Sequence, residues 1–249
     1  MSHTERIADG QDLLSLAIEA HGGAARWDEL SALDLRYRAG GLAFAMKLRG
    51  LRASPFHAHV STSEPRATLQ SFPRAGRRGI LDGQAVRIED EGGEEIAARQ
   101  RPAEAYRSPR RLIRWDDLDL LYFSAYAIWG YATAPFHLRR YADELAELAP
   151  WHEDGESWRR LWVRYREGVP AHCREQVFHY DEHGLLRRHD YTAEAFGGWA
   201  KAAHYSYDHR TFDGIVLPTR RRVHPRRPDG RPRRAVTIIA IAVESVEAS

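Results

Sequence analysis

Thiols, lysines and long apolar runs are what this sequence has least of. Cys173 is the only cysteine in 249 residues, which excludes an intramolecular disulfide framework and any zinc site built on paired thiolates. A reducing cytoplasm is the compartment that this usage favours. No window approaches the roughly 18 apolar residues of a membrane-spanning helix, and the opening residues Met1 to Gln11 are polar, without the apolar stretch of a secretion signal. The expectation is a cytoplasmic chain with no membrane span. There is no Gly-rich phosphate loop, no βαβ alternation and no repeat period, which disfavours a Rossmann-type enzyme. Lysine is confined to Lys47 and Lys201, so the 37 basic side chains are almost all arginine, and 35 acids reduce the formal charge to +2. The densest basic runs are Arg107, Arg110, Arg111 and Arg114, then Arg220 to Arg234. Neither carries an aromatic-and-basic recognition motif, so they read as solvated loop charge and no nucleic-acid partner is expected.

What is present is enough apolar material, 43% of residues, to bury an ordinary core, and one domain spanning 1–249 is expected. Asp12 to His21 has Leu13, Leu14, Leu16, Ala17 and Ala20 at helical spacing, with Gly22-Gly23 as terminator, so an N-terminal helix is placed at about 10–22. His21 reads as its C-terminal cap. A second helical turn covers Ala24 to Leu30. From Leu33 the rhythm turns to period two, and strands are expected at Leu33 to Arg38, Leu42 to Leu51, Pro55 to Thr62, Arg66 to Phe72 and Gly79 to Glu89. Asp116 to Tyr131 is too long for a strand and too broadly apolar for a surface helix. It reads as a helix buried on most sides, within a helical insert at about 104–134 bounded by Ser108-Pro109 and Pro135.

After Glu144 the chain is a run of hairpins. Turns at Glu153-Asp154-Gly155-Glu156, Asp181-Glu182-His183-Gly184, Asp213-Gly214 and Pro228-Asp229-Gly230 carry the residues that tight turns require. The last of these precedes a strand from Ala235 to Val246. Strands joined this way pair with their neighbours, so the fold class is mainly β (α+β), a strongly curved antiparallel half-barrel sheet wrapped around the helical insert.

Three features occur together: the helix closing on His21-Gly22-Gly23 with Trp27 beyond it, a meander interrupted by a helix, and late hairpins reading Tyr180-Asp181-Glu182-His183-Gly184-Leu185-Leu186 and Phe212-Asp213-Gly214-Ile215-Val216-Leu217-Pro218-Thr219-Arg220. This pattern resembles the outer-membrane lipoprotein carrier superfamily of LolA-like and LolB-like proteins, and more closely a set of uncharacterised, cytoplasmic-looking bacterial proteins of about this length. The resemblance implies a half-open β-barrel around helices with an apolar cavity between them. The chain departs from the carriers in showing neither a signal peptide nor a lipobox cysteine near its start, so the container carries over and the periplasmic role does not.

A two-residue turn at Glu182-His183 would pair Tyr180 with Leu185, Phe178 with Arg187 and Gln176 with His189. One face then holds Gln176, Phe178, Tyr180, Leu185, Arg187, His189 and Tyr191, and this more aromatic face is assigned to the cavity. Leu186, Arg188 and Asp190 fall on the other. In the next strand His204 and Ser206 alternate with Tyr205 and Tyr207. Imidazole beside phenol is a credible acid–base set near neutral pH, which makes His189, His204, Tyr191 and Tyr205 the candidate catalytic residues. The competing reading is that such rings are buried and hydrogen-bonded at their polar tips. Candidate ligand contacts are Phe178, Tyr180, Tyr207, Trp129 and Tyr126, with Arg220 and Arg222 available to hold a carboxylate.

No metal site is expected; the alternative joins His57 and His59, two apart on a strand, to His204. His172 and Cys173 are strand neighbours that point to opposite faces, so a nucleophile–base pair is excluded and Cys173 reads as a buried, inert thiol. Trp115, Trp129, Tyr131, Trp151, Trp158 and Trp162 are expected to pack around the middle helix. The functional expectation is cytoplasmic binding of a hydrophobic or aromatic small molecule, a lipid or secondary metabolite. The alternative is an isomerase, cyclase or hydrolase that uses the His/Tyr set in the same cavity; a partner-binding module acting through Arg226 to Arg234 is a third class. Neither a cofactor nor an oligomeric state is specified by any motif.

Overall fold

The computed structural model describes residues 6–47 and 55–249. β1 (Arg6–Asp9) leads into α1 (Gln11–Ala20), α2 (Ala24–Asp28), β2 (Ala32–Gly40) and α3 (Leu42–Ala45). Short hairpin strands follow: β3 (Pro55–Ser61), β4 (Arg66–Gln70), β5 (Arg77–Asp82), β6 (Ala85–Asp90) and β7 (Glu95–Gln100). The helical segment comprises α4 (Pro102–Ala105), α5 (Pro109–Ile113), α6 (Asp117–Thr133) and α7 (Leu138–Tyr141). The remaining strands are β8 (Ala142–Glu153), β9 (Glu156–Tyr165), β10 (Glu175–Tyr180), β11 (Leu186–Thr192), β12 (Lys201–Phe212), β13 (Ile215–Pro225) and β14 (Ile239–Ala248), with a 3₁₀ turn at Glu194–Phe196.

Among the described residues all fourteen strands form one sheet in the order β1-β8-β9-β10-β11-β12-β13-β14-β2-β3-β4-β5-β6-β7. Every neighbouring pair is antiparallel. The sheet does not close, since β1 and β7 are its two edges. The meander expected from the turns is therefore present, with two long-range joins, β1 to β8 and β14 to β2, that local turn chemistry does not encode. Bulges at Leu148/Trp151, His179/Tyr180 and Val243/Ser245 break the ladder, and such insertions sharpen strand bend and twist.

The concave side is filled by α6. Its N-terminus is fixed by a capping box, in which the Asp116 side chain accepts from the Asp119 N–H and Asp119 accepts from the Asp116 N–H, both at 2.9 Å. The buried Asp119 carboxylate also pairs with Arg99 and Arg111, each at 2.5 Å. The helix ends at Thr133, and Ala134 takes the extended backbone favoured just before Pro135. Leu118, Leu121, Phe123, Tyr126, Ile128 and Trp129 point in different directions around it, and all are buried, as an all-round apolar helix must be. α1 packs against the β10–β11 and β12–β13 turns. Gly22 adopts φ 119° there, and a Cβ on it would collide with the Gly214 carbonyl, so the terminator and a hairpin turn interlock. His21 caps α1 as a neutral donor, with Nδ1 2.7 Å from the Ala17 carbonyl. Burial lowers its pKa to about 4.

Four expectations need correction. Leu42 to Leu51 is not a strand: Leu42–Ala45 is a helical turn, composed of good helix formers after Gly41, and Leu48 to Leu51 lies outside the described residues. The final strand starts at Ile239 rather than Ala235, because the prolines of Pro225 to Pro232 withhold ladder donors. That segment folds as a strap over the outer face, where the Gly230 carbonyl accepts from Arg188. Phe178 pairs with His189, two residues from the expected partner, and the bulge at His179/Tyr180 sets Leu186 opposite Tyr180. Leu186 consequently enters the core, while Arg187 turns outward to Glu156 and stacks over Trp158. Finally, Trp151 and Trp158 pack with Tyr205 and Tyr207 in a separate cluster, and Trp162 lies under Arg6; only Trp115, Trp129 and Tyr131 of the six join the core around α6.

Candidate functional site

One face of α6 presents Leu120, Phe123, Ser124, Ala127, Ile128 and Tyr131, the i, i+3, i+4, i+7 spacing of a single stripe. Opposite it stand Tyr37 on β2, Phe56 on β3, Leu69 on β4, and Ile239 and Ile241 on β14. The two walls leave a narrow, almost wholly apolar cavity of about 70 Å³. On the far side of Phe123 and Ile239, which line both spaces, a wider groove of about 420 Å³ opens to solvent beside Met46, Trp199 and Val236.

Beneath the cavity, strands β10 to β13 carry an interlocked set of rings. His189 stacks on Phe178 at 4.1 Å and its Nε2 lies 2.5 Å from the Gln176 carboxamide oxygen. His204, directly across from His189 in the ladder, meets Tyr131 edge-on at 4.5 Å. His172 stacks on Tyr191 at 3.9 Å, and its two nitrogens lie 2.6 and 3.2 Å from the hydroxyls of Tyr131 and Tyr126. The Tyr131 hydroxyl is also 3.1 Å from that of Tyr191. Burial lowers His172 to about 3 and holds His189 and His204 well below the usual imidazole value, and it raises Tyr131 to about 12. All four are neutral at pH 7. Among the described residues the one cation on this face is Arg221, fully buried and lowered by burial to about 10. It donates to the Tyr131 carbonyl at 2.8 Å and lies over the Tyr131 ring. That carbonyl belongs to the last turn of α6, where a cation meets the negative end of the helix dipole.

The structure divides the expected residues between two faces. His189, His204, Tyr191, Phe178, Tyr180, Trp129 and Tyr126 are all buried on the concave side. Tyr205 and Tyr207 point the other way, with Tyr205 hydrogen-bonded to Glu153 at 2.7 Å and Arg220 stacked over Tyr207 at 4.3 Å. Arg222 pairs with Tyr205 in the ladder and donates to the carbonyls of Arg221 and Ile241. The expected single cluster is thus two clusters separated by the sheet, as alternation along β12 and β13 requires. The alternative metal set does not assemble either. His57 and His59 are exposed on β3, where His59 meets Asp34, whereas His204 is inside, and among the described residues no group of three metal-ligating side chains converges. Cys173 is buried, donates to the Glu175 carbonyl and is pushed by burial up to about 12, an unreactive thiol.

Sequence reasoning placed Gln176 on this face beside His189 but missed His172, Tyr131 and Arg221 as members of the cluster. The contacts of His172 to α6 span 41 and 46 residues, beyond any local pattern. Arg221 carried a signal, since its alternation with Arg220 and Arg222 placed it alone on the opposite face.

No protein-family model matches the chain, and no curated protein does. Solved structures do. A DUF1329 family protein from Desulfovibrio piger superposes with TM-score 0.57 at 12% identity, covering 98% of this chain and 94% of that one. A LolA superfamily protein from Nitrosomonas europaea gives 0.57 at 8% identity, again over 98% and 94%. A Vibrio parahaemolyticus domain assigned to outer-membrane lipoprotein sorting gives 0.56 at 8%, over 97% and 94%. The chain therefore has the LolA/LolB-like fold, as the hairpin motifs implied. At such identities the likeness extends to the fold alone.

Proposed function

We propose that the protein is a cytoplasmic binder of a hydrophobic or aromatic small molecule, a lipid or secondary metabolite, held between α6 and the concave face of the sheet. The observation that carries this reading is the cavity wall: aromatic and aliphatic side chains from α6, β2, β3, β4 and β14 converge on one space, the chemistry of a site whose affinity comes from apolar burial. The lipoprotein-sorting assignment of the Vibrio domain supports it by analogy of container. The compartment rests on the single, buried thiol and is tested by fractionating cells that express the protein.

Native mass spectrometry of the purified protein, with extraction of whatever co-purifies, tests the binding reading. Ser124 is half-buried on the cavity wall, so Ser124→Phe fills the space without replacing a core side chain. The wild type should carry an extractable apolar molecule or take up Nile red, and the variant should lose both while keeping its circular dichroism spectrum. A wild type that is always empty and ignores Nile red sinks the proposal.

The catalytic reading has one observation in its favour: His189, His204 and Tyr191 meet beside Tyr131, whose ring also lines the cavity. Once a ligand is identified, His189→Ala and His204→Ala should abolish its turnover, and unchanged turnover removes both residues.

A further inference from the structure

The groove beyond Phe123 and Ile239 differs from the inner cavity in having a rim charged with one sign. Lys201, Arg226 and Arg233 line it, and no Asp or Glu does. Among the described residues the Lys201 and Arg233 side chains have no acidic partner. Arg226 is only 3.6 Å from Asp190, but that carboxylate is already held by Arg188 at 2.6 Å, and the buried Arg226 Nε has no hydrogen-bond partner. The rest of the lining is apolar, and it surfaces: Met46, Trp199 and Val236 are 51, 69 and 37% exposed at the mouth. Apolar side chains gathered at one exposed mouth beside two cations without an acidic partner, Lys201 and Arg233, have the composition of an interaction site.

We infer that this groove binds a free, single-tailed anionic amphiphile, of which a long-chain carboxylate is the simplest case. The inference rests on the proposed function and names its ligand class. The head meets Lys201, Arg226 and Arg233, where guanidinium and carboxylate match in geometry as well as charge. The tail lies along Phe196 toward Phe123. Because Phe123 and Ile239 belong to both linings, a rotation of the Phe123 ring joins the groove to the inner cavity and lets the tail continue. The groove's 420 Å³ lies within the roughly 300–1,000 Å³ of small-molecule sites.

Isothermal titration calorimetry of the whole, delipidated chain with a long-chain fatty acid and with the fatty alcohol of equal length provides the test. The acid should bind about tenfold tighter, and in Lys201→Ala/Arg233→Ala, two exposed positions whose change spares the core, this preference should vanish while the alcohol's affinity holds. Equal affinity of wild type for acid and alcohol would overturn the head-group assignment and leave the apolar-binder reading standing. Failure of both ligands and of Nile red would remove the two together. Binding to anionic phosphatidylglycerol vesicles without uptake of the free acid would make the rim a membrane contact and likewise overturn the inference.

Discussion

The two faces of strands β10 to β13 bury polar groups by opposite means. On the concave side the buried groups are mostly uncharged rings: His172, His189 and His204 are kept neutral by desolvation and are spaced between tyrosines. On the convex side ions predominate. Arg188, wholly inaccessible to solvent, forks onto Asp190 at 2.6 and 2.8 Å, reaches Glu153 at 2.9 Å and donates to the Gly230 carbonyl of the strap. Burial alone would raise the Asp190 pKa, but His179, Arg188 and Arg226 outweigh it and hold the carboxyl well below its ordinary range. Arg234, two residues beyond the strap, pairs with Glu153 at 2.6 Å. Neutral rings can lie against an apolar cavity without a counter-ion, whereas buried charges need every partner in place. The side that faces the cavity buries a lone cation, Arg221, among neutral rings, and the other side buries a network of ion pairs.

The largest effect should come from breaking the ionic side. Arg188→Ala leaves Asp190 and Glu153 without their shared cation and should lower unfolding free energy by about 3–5 kcal/mol, read by urea denaturation; a loss under about 1 kcal/mol would mean that the network does not hold the strap.

Acid should reach the ring side first. His21, and His137 buried between Thr133 of α6 and the Tyr165 hydroxyl of β9, ordinarily titrate at 6.5 and do so at about 4 when folded, so between those values the unfolded chain binds more protons. Their stabilisation, up to about 3 kcal/mol each, is complete above pH 6.5 and drains away as pH falls toward 4. The Asp190 contribution persists through that window and fades only below the ordinary carboxylate value of 3.8. A melting temperature flat from pH 7 to pH 4 would contradict this ordering. The smallest effect belongs to Tyr131→Phe, which deletes the hydroxyl shared by His172 and Tyr191. It should cost about 1–2 kcal/mol, measured in the same denaturation series; no change would show that solvent already serves those groups.

Much of this contrast was written in local pattern. The division of β10 and β11 into two faces follows from period two, and it survived an error in pairing because Phe178 moved from Arg187 to His189, an even step. Past the bulge the pattern failed: Leu186 entered the core and Arg187 turned outward. The helix from Asp116 was legible because length and all-round apolarity leave no other home for it. The partition of the His/Tyr set was also legible in principle, since Tyr205 alternates with His204; grouping them by strand proximity alone ignored the sheet between them. What local pattern does not contain is the strap. Pro225 to Pro232 reads as charged loop, and only the fold brings Gly230 against Trp151 and Arg234 to Glu153, across 81 residues. His172 is hidden for the same reason, because its partners belong to a helix packed against it from far along the chain.

An unclosed sheet has two rows of backbone donors and acceptors with no strand beside them, each a template on which another copy could polymerise. Both rows are short and poorly suited to that. β1 is four exposed residues, Arg6 to Asp9, flanked by charge at either end, and β7 carries Glu95, Arg99 and Gln100 in six residues. The open sheet therefore ends on both sides in strands too brief and too charged to seed a fibre.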